Sequence, residues 1–414
     1  MPHIKPKYLN IEKSRKHLSR SLGCVCIAFS LAACGGSSGG IEAPLANSVD
    51  EVPSPNNAAP EDNAVPEDNA APEDNAAAED NAAPEDNAAV EDNPAPEDNP
   101  APEAPELVAT NLVPVPLSGA YIGMNTGDSI NGITVSSREE LLAHDMAIER
   151  IFYSDRDWTF ERVNIDQVVA THNQGRIPMV SYKVGAWNDV LQGNSDAIID
   201  KLAGQIKDSG VPMLLTFHHE AEDDACFNSE PDCGEGQTAQ DYVAMWRYVH
   251  NRFTALEVNN VSWNWVVMGW QWSPAGNDTV RNHIESMFPG SDYVDWISAD
   301  LYNVAGNCSL TPQQVSNRWT ELSVGGQGWY DWVSQFNKPL ALAEWGTFDD
   351  TLIDGRKAQW YRNASATLKG WPNIKAVLYF DRLHDGCDWR IDTGGEAELQ
   401  GYRDLIDDPY FIKG

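Results

Sequence analysis

The sequence predicts an α/β fold, a closed (β/α)8 TIM barrel, preceded by a disordered acidic linker. Short apolar runs recur eight times between residues 120 and 381, and segments with helical spacing separate several of them. Strands that alternate with helices indicate a parallel sheet, and eight such units indicate a closed barrel. The first 111 residues show neither pattern, so the chain divides into residues 1–33, 34–111 and 112–414.

The first part, residues 1–33, has the organisation of a secretory signal peptide. Six Lys and Arg residues stand against one acid, and the apolar run that follows is too short to cross a bilayer as a helix. The run ends in "LAAC", which resembles the lipobox of bacterial lipoproteins and implies cleavage before Cys34 and lipidation of its thiol. An ordinary signal peptide with an incidental cysteine is the alternative. We expect a lipid-anchored, extracytoplasmic protein at the cell surface or outer membrane.

The second part, residues 34–111, carries an imperfect six-residue repeat, "PEDNAA". Nineteen acidic residues lie between Glu42 and Glu106, with no Lys or Arg among them and no aromatic residue in the segment. Such a chain buries too little apolar surface to offset the entropy lost on ordering, and its proline content and charge keep it extended. We predict a disordered tether; calcium capture by the Glu-Asp pairs is the alternative.

The third part, residues 112–414, is acidic and long enough to bury one large core. It has 22 Lys and Arg against 42 Asp and Glu, a net charge of about −20. This balance argues against nucleic acids as partners and is compatible with a neutral substrate. We expect a monomer that needs no cofactor and no metal ion.

Four cysteines lie in this third part, and disulfides persist outside the cytoplasm. Cys226 and Cys233 share a short polar segment, and Cys308 and Cys387 each follow a predicted strand. We predict bridges between 226 and 233 and between 308 and 387, although four cysteines allow three pairings. A zinc site is the alternative, but no Cys-x-x-Cys spacing supports it.

The eight apolar runs predict the strands, because they are short, rich in β-branched and aromatic residues, and followed by polar residues. In chain order they are "AYIGMN" from Ala120, "RIFYS" from Arg150, "RIPMVSY" from Arg176, "PMLLTFHHE" from Pro212, "VSWNWVV" from Val261, "VDWISADLY" from Val294, "PLALAEWG" from Pro339 and "KAVLYFD" from Lys375.

Helical spacing of apolar residues recurs between these runs, as in "SREELLAHDMAI", "SDAIIDKLAGQI" and "AQDYVAMWRYVHNRF". A doubly wound open sheet is the alternative to a closed barrel. No Gly-rich phosphate loop follows the first strand, which argues against that alternative.

Polar and aromatic residues follow the predicted strands, and in such a barrel the carboxyl ends of the strands meet at one face, where the active site is built. In chain order these residues are Asp155, Asp157, Lys183, Trp187, His218, His219, Glu220, Trp270, Gln271, Trp272, Asp300, Tyr302, Glu344, Trp345, Asp381, Asp388 and Trp389.

Glu220 and Glu344 are the candidate catalytic residues, because each closes an apolar run where a bulky apolar residue would serve a core equally well. A pair of carboxylates about 5–5.5 Å apart suits retaining glycoside hydrolysis, and a wider separation suits inversion. One carboxyl must be protonated to donate to the leaving oxygen and the other ionised to attack. A solvated loop acid is the alternative for either glutamate alone.

The order of the motifs resembles glycoside hydrolase family 26, a member of clan A. The motifs are His219-Glu220 at strand 4, "NWVVMGWQWSP" at strand 5, "SADLYN" at strand 6, "AEWGT" at strand 7 and "LYFDRLHDGCDWRID" after strand 8. The resemblance covers most of residues 119–400. It implies that Glu220 is the acid/base, that Glu344 is the nucleophile, that Tyr302 hydrogen-bonds the nucleophile, and that His219 orients the acid or contacts sugar hydroxyls.

The sequence departs from the family pattern after Glu220. The usual continuation is replaced by "AEDD", residues 221–224, and a cysteine-bearing loop follows. Loops of this kind line substrate subsites, so the sugar specificity is the least transferable part of the resemblance.

Aromatic residues near strand ends are candidates for stacking on pyranose rings, and packing in the core is the alternative for each of them. Asp388 is either a substrate contact or the partner of Arg390. A metal site built from His218, His219 and Asp224 is disfavoured, because adjacent residues on a strand point to opposite faces. The predicted substrate contacts are Lys183, Trp187, His219, Trp272, Tyr302, Trp345, Asp388 and Trp389.

We therefore expect a retaining, endo-acting β-glycanase that cleaves a plant or algal polysaccharide, with β-1,4-mannan as the first substrate. β-1,3-Xylan and mixed-linkage β-glucan are alternatives within the class. A glycan-binding surface lipoprotein without turnover is the alternative from another class. The presence of both Glu220 and Glu344 argues against it, because binding alone requires neither.

Overall fold

The computed structural model describes residues 112–127, 132–153, 163–183, 185–226, 236–304, 309–384 and 387–414. The predicted signal peptide, Cys34 and the acidic repeat lie outside the described residues, as do Asp155 and Asp157. Among the helices that are described, none combines the length and apolar character needed to span a membrane.

Within the described residues, eight parallel strands close into a barrel. Strands that are neighbours in the sequence are neighbours in the sheet, and the eighth pairs back to the first, with Tyr121 opposite Ala376 and Asn125 opposite Phe380. This closure confirms the predicted (β/α)8 barrel. The strands are β1 (Ala120–Asn125), β2 (Ile148–Tyr153), β3 (Ile177–Tyr182), β4 (Met213–Phe217), β5 (Val261–Val267), β6 (Trp296–Tyr302), β7 (Leu340–Gly346) and β8 (Ile374–Phe380).

Among the described residues, three further short strands lie outside the eight of the barrel. β9 (Leu383–His384) and β10 (Cys387–Asp388) pair as an antiparallel hairpin at the carboxyl end of the barrel. β11 (Phe411–Ile412) pairs with the start of β1. The hairpin lies on the same face of the barrel as the strand ends that carry the candidate catalytic residues.

Helices cover the outside of the barrel, and the longer ones each bury a stripe of apolar residues against it. The longest, α5, begins with a capping box between Thr238 and Asp241. The helices are α1 (Val135–Leu142), α2 (Ile165–Asn173), α3 (Trp187–Leu191), α4 (Asp196–Ser209), α5 (Ala239–Ala255), α6 (Asp278–Glu285), α7 (Pro312–Asn317), α8 (Leu322–Ser334), α9 (Arg356–Gly370) and α10 (Glu396–Ile406).

The helix predicted from "SREELLAHDMAI" is shorter than its apolar spacing suggested. α1 ends at Leu142, and Ala143 has a left-handed backbone with φ 51°. Met146 is buried in the connection to β2, and Leu141 is exposed. Apolar spacing continued past the helix because the connecting loop also packs on the core.

The interior of the barrel changes from apolar to polar along the strands. An apolar layer near their beginnings includes Ile148, Met179, Leu214, Trp296 and Ala376. About two residues further along, toward the carboxyl ends, the inward positions of β2, β3, β4 and β6 are polar and still buried. These residues are Arg150, Ser181, Thr216 and Ser298, and Asp300 follows two residues later in β6. This polar layer forms the floor of the candidate site.

Candidate active site at the carboxyl end of the barrel

Glu344 lies near the end of β7, where an irregularity in the sheet turns its side chain inward. The register between β6 and β7 shifts by one residue just before this position, and Glu344 lies opposite Asp300. Ala343 belongs to the interior cluster and Trp345 to the outer core. A bulge re-aims a side chain without ending the strand, and here it places two consecutive residues on the inner side.

Arg150 crosses the barrel interior and contacts three other strands. Its Nη1 lies 2.9 Å from Asp300 Oδ1 and 3.0 Å from Glu344 Oε1. Its Nε donates to Ser181 Oγ at 2.9 Å. The arginine is 1% exposed, so a permanent positive charge is held against Glu344 where little water screens it.

Tyr302, at the end of β6, contacts the other oxygen of the same carboxylate. Its hydroxyl donates a hydrogen bond to Glu344 Oε2. Burial and the negative charges of Glu344 and Asp300 raise the pKa of the Tyr302 phenol well above its usual value. The tyrosine therefore stays protonated and keeps its donor role across the range in which proteins are stable.

Glu220 lies beyond the end of β4, in a turn of unusual backbone. His218 and Glu220 both have left-handed conformations, with φ 64° and φ 51°. The backbone amide of His218 donates to the Tyr182 carbonyl of β3, and that of Glu220 donates to the Val266 carbonyl of β5. The turn thus stays joined to both neighbouring strands. Left-handed conformations at residues other than glycine are uncommon and cluster at functional sites.

The carboxyl group of Glu220 sits in surroundings that favour its protonated form. Burial raises its pKa well above the usual value, and the negative charges of Asp300, Glu344 and Glu222 raise it further, while Lys183 opposes them. Like charges that share a buried site cannot all be ionised together. Glu220 is therefore suited to hold a proton.

A hydrogen-bonded network braces the turn from the side of β3. Trp187 Nε1 lies 3.2 Å from His218 Nδ1, and His218 Nε2 lies 2.7 Å from Asp224 Oδ2. An indole nitrogen only donates, so Nδ1 accepts and Nε2 carries the proton. Lys183 Nζ donates to the same Asp224 oxygen at 3.1 Å. Burial opposes ionisation of Asp224, but His218 and Lys183 hold its pKa below the usual range.

His219 is 7% exposed and packs its ring edge-to-face against Phe152, with 5.3 Å between ring centroids. Burial and the positive charges of Lys183 and Arg150 lower its pKa well below the usual value, so the imidazole is neutral. Its Nδ1 is buried and has no hydrogen-bond partner among the described residues.

The predicted aromatic contacts fall into two sets. Trp187 and Trp345 are fully buried, with Trp187 against His218 and Trp345 stacked on Trp360. The expectation of a face open to a sugar ring does not hold for these two. The bulge at Ala343 explains the second case, because it turns Trp345 outward beneath helix α9.

Trp272 and Trp389 are 9% and 6% exposed, so each keeps a small exposed area. Trp272 is stacked on Trp332, and Trp389 packs between Phe348 and Tyr302 with centroid distances of 4.1 and 4.6 Å. Trp272 therefore has one ring face covered by Trp332, whereas Trp389 is contacted by two aromatic rings.

Asp388, in the hairpin after β8, pairs with Arg390. The guanidinium donates two hydrogen bonds to the Asp388 carboxylate, at 2.8 and 2.6 Å. The sequence left open whether this residue contacts substrate or Arg390, and the arginine is its partner in this structure.

The functional residues that sequence reasoning passed over are Arg150 and Glu222. In the sequence Arg150 stands at the start of the apolar run "RIFYS", but in the structure it lies inside β2, Ile148–Tyr153. A charged residue inside a buried strand was the signal that pointed to it. Glu222 was one of several acids in a predicted loop, and no pattern in the sequence distinguished it.

The structure describes one cysteine of each predicted disulfide. Cys226 and Cys387 are both disulfide-bonded. Cys233 and Cys308 lie outside the described residues, so the pairing stays a prediction. In the part of the chain that the structure describes, no group of three or more His, Cys, Asp or Glu side chains is arranged to hold a metal ion.

Comparison with known proteins identifies the family. The model of glycosyl hydrolase family 26 matches residues 159–371, just over half of the chain. The chain belongs to glycosyl hydrolase family 26. The predicted family and enzyme class, glycoside hydrolase, are thereby confirmed.

Two curated relatives are similar in sequence. Endoglucanase H of Acetivibrio thermocellus is 28% identical over 294 residues, 70% of this chain and 30% of that protein. Mannan endo-1,4-beta-mannosidase A and B of Caldalkalibacillus mannanilyticus is 28% identical over 163 residues, 39% of this chain and 26% of that protein. This chain therefore spans less than a third of the length of either relative.

Among solved structures, a family 26 protein of a Muricauda species superposes with a TM-score of 0.50 and 16% identity. The match covers 72% of this chain and 87% of that one. At this identity the likeness supports the fold alone. It agrees with the closed barrel described above.

Proposed function

We propose that this protein is a retaining, endo-acting β-glycoside hydrolase in which Glu220 is the acid/base and Glu344 the nucleophile. The contrast between the two carboxyl groups carries the proposal. Burial and neighbouring negative charge raise the pKa of Glu220, whereas Arg150 and Tyr302 contact Glu344. A protonated acid and an ionised nucleophile are the two states that double displacement requires.

The proposed reaction has two steps. The Glu344 carboxylate attacks the anomeric carbon, the bond to the leaving oxygen breaks, and Glu220 gives that oxygen its proton. Glu220 then takes a proton from water, whose oxygen attacks the same carbon and releases Glu344. The hydrogen bond from Tyr302 and the charge of Arg150 hold the Glu344 carboxylate in place through both steps.

β-1,4-Mannan is the substrate that we propose first. The similarity to a mannan endo-1,4-beta-mannosidase supports it. A specific observation favours a second candidate, mixed-linkage β-glucan, because the similarity to an endoglucanase covers more of this chain, 70% against 39%. β-1,3-Xylan is the third. Among the predicted contacts, His219, Trp272 and Trp389 are the residues that we propose to meet the sugar.

To test the proposal, the protein is incubated with a panel of mannans, glucomannan, xylans and mixed-linkage β-glucans. The formation of new reducing ends is then measured. We expect wild-type protein to release ends from one class of polymer and Glu344→Ala to release none. Binding to a glycan without any release would support the glycan-binding alternative instead. Oligosaccharide products of intermediate length would support endo action, and single sugars alone would contradict it.

We further propose that the barrel is tethered to a membrane through Cys34 and the acidic repeat. The basic and apolar leader, "LAAC" and the aromatic-free linker support this. In a bacterial host, wild-type protein should fractionate with membranes, and Cys34→Ser should be released to the soluble extracytoplasmic fraction. An unchanged distribution of Cys34→Ser would contradict lipid anchoring at this residue.

A further inference from the structure

Two acidic residues that follow Glu220, Glu222 and Asp224, have side chains that are largely shielded from solvent. Glu222 is 9% exposed as a residue, and the Asp224 side chain is 12% exposed. They lie where the sequence departs from the family 26 pattern. Acids are seldom buried unless they are paired or hydrogen-bonded, so their partners indicate their role.

Asp224 reaches from the turn toward β3. It accepts a hydrogen bond from His218 Nε2 at 2.7 Å and from Lys183 Nζ at 3.1 Å. His218 is in turn held by Trp187, which fixes its ring and its tautomer. Asp224 therefore ties the start of the turn, at His218, to a lysine at the end of β3.

Glu222 reaches in the opposite direction, toward β5. Its Oε1 accepts a hydrogen bond from the backbone amide of Met268 at 2.6 Å. Met268 immediately follows β5. The next residue, Gly269, has a φ of 77° and caps the short 3-10 helix Trp270–Trp272. Glu222 therefore joins the turn that carries Glu220 to the segment that carries Trp272.

The backbone of the turn from His218 to Glu220 lies between these two contacts and is conformationally strained. The left-handed conformations of His218 and Glu220 each cost free energy and persist only where surrounding contacts fix them. The backbone hydrogen bonds of the turn hold its amides, and the two acids hold the segment that follows Glu220.

We propose that Glu222 and Asp224 are positioning residues that form a two-sided clamp, tying the acid/base turn to β5 and to β3 and fixing the Glu220 carboxyl at the scissile bond. The inference rests on the proposed function, because it assigns a purpose to the position of Glu220. The same clamp would also affect substrate specificity, because it sets the spacing between Glu220 and the segment that carries Trp272.

The test compares Glu222→Ala, Glu222→Gln, Asp224→Ala and Asp224→Asn in the full chain. Glu140→Ala is the matched control, because Glu140 is an exposed acid on α1. Each variant is assayed on the best polysaccharide and on an aryl β-glycoside with a good leaving group, and its melting temperature is measured. The aryl substrate needs little protonation, so its rate depends less on where Glu220 lies.

We expect both alanine variants to lose about 10- to 100-fold in kcat on polysaccharide and distinctly less on the aryl glycoside, the scale of a displaced catalytic group. Glu222→Gln keeps an oxygen that accepts from Met268 and should restore most of the polysaccharide rate. Asp224→Asn keeps an acceptor for His218 and should restore part of it.

The pH profile separates positioning from general destabilisation. The charged groups that bear most on Glu220 are Asp300, Glu344, Glu222 and Lys183. Burial raises the pKa of Glu222 to about 7, so Glu222 is ionised on the alkaline side of the profile. Removing that charge takes away one cause of the raised pKa of Glu220. The alkaline limb of kcat/KM should therefore move to lower pH in Glu222→Gln, even where the rate is restored.

Two results would overturn the clamp. One is an active wild type whose Glu222→Ala and Asp224→Ala variants match Glu140→Ala on both substrates. The other is equal fractional loss on both substrates with an unmoved alkaline limb, which indicates lost folding alone. If wild-type protein hydrolyses neither substrate, the proposed function fails first. Slow backbone hydrogen exchange at Met268 that becomes fast in Glu222→Ala would then still detect the contact itself.

Discussion

Glu344 and Glu220 are the same residue type at the carboxyl ends of β7 and β4, yet their surroundings differ in backbone, charge and hydrogen bonding. Glu344 belongs to a strand, and its two oxygens meet Arg150 and the Tyr302 hydroxyl. Glu220 belongs to a left-handed turn beyond its strand. Its carboxyl group lies near the negative charges of Asp300, Glu344 and Glu222, which raise its pKa, and Lys183 only partly offsets them.

This contrast shows how one barrel gives two identical carboxyl groups different chemical roles. A fixed cation and a donor stabilise a carboxylate that must attack. Burial beside like charges stabilises the protonated form of a group that must donate. The residue type supplies the carboxyl, and the environment assigns the role.

The largest expected effect breaks the Glu344 side of the comparison. Glu344→Ala should lower kcat on every substrate by about 10⁴-fold or more, because no group replaces the nucleophile. Glu344→Gln is the matched control for packing and should be equally inactive while folding normally. Added azide should restore turnover of an aryl glycoside by Glu344→Ala and give a product of inverted configuration. Near wild-type activity would show that the nucleophile lies elsewhere.

The next effect breaks the Glu220 side and should depend on the leaving group. Glu220→Ala should lower kcat on polysaccharide by about 10²- to 10⁴-fold, the usual contribution of general acid catalysis. The loss should be smaller on an aryl glycoside whose leaving group needs no proton.

The pH dependence follows from the direction of the Glu220 pKa. Its raised pKa keeps the active, protonated form present to higher pH, and activity is lost as pH rises through that pKa. Glu220→Ala should therefore lose the alkaline limb of its pH profile with aryl substrates. Equal losses on both substrate classes, with the limb retained, would contradict the acid/base role.

The smallest effect removes one contact and sharpens the comparison. Tyr302→Phe deletes the hydroxyl that donates to Glu344 and leaves the ring against Trp389 and Phe380. We expect a loss of about 10- to 100-fold in kcat, since a hydrogen bond to a charged group contributes about 1.5–3 kcal/mol. The loss should be the same for polysaccharide and aryl glycoside, unlike that of Glu220→Ala. A loss confined to polysaccharide would place Tyr302 in substrate binding instead.

Much of the fold was predictable because it depends on local patterns. The runs "AYIGMN" and "VSWNWVV" coincide with β1 and β5. A strand of a parallel sheet is buried on both faces, so it appears in the sequence as a short, nearly continuous apolar run. The positions of Glu220 and Glu344 at strand ends followed from the same runs. The motif order then identified the family.

The arrangement of the site was less predictable, because it depends on residues far apart in the sequence. Arg150 contacts Glu344, which lies 194 residues later in the sequence, and no periodic pattern of residues indicates such a contact. Trp187 and Trp345 looked like Trp272 in the sequence, but both are 0% exposed, whereas Trp272 is 9% exposed. The contacts of Glu222 and Asp224 depend on Met268 and Lys183, which directly follow β5 and β3.

The sequence by itself determined the eight strands, the family and the two carboxyl groups, because apolar runs and the residues that end them are written in consecutive letters. Only the tertiary structure decided which way those carboxyl groups face. Strict alternation from Ala341 and Ala343 would turn Glu344 outward and Trp345 inward, and the bulge against β6 reverses both. Strand register is set by pairing between strands, and a one-residue shift moves a side chain from one face to the other.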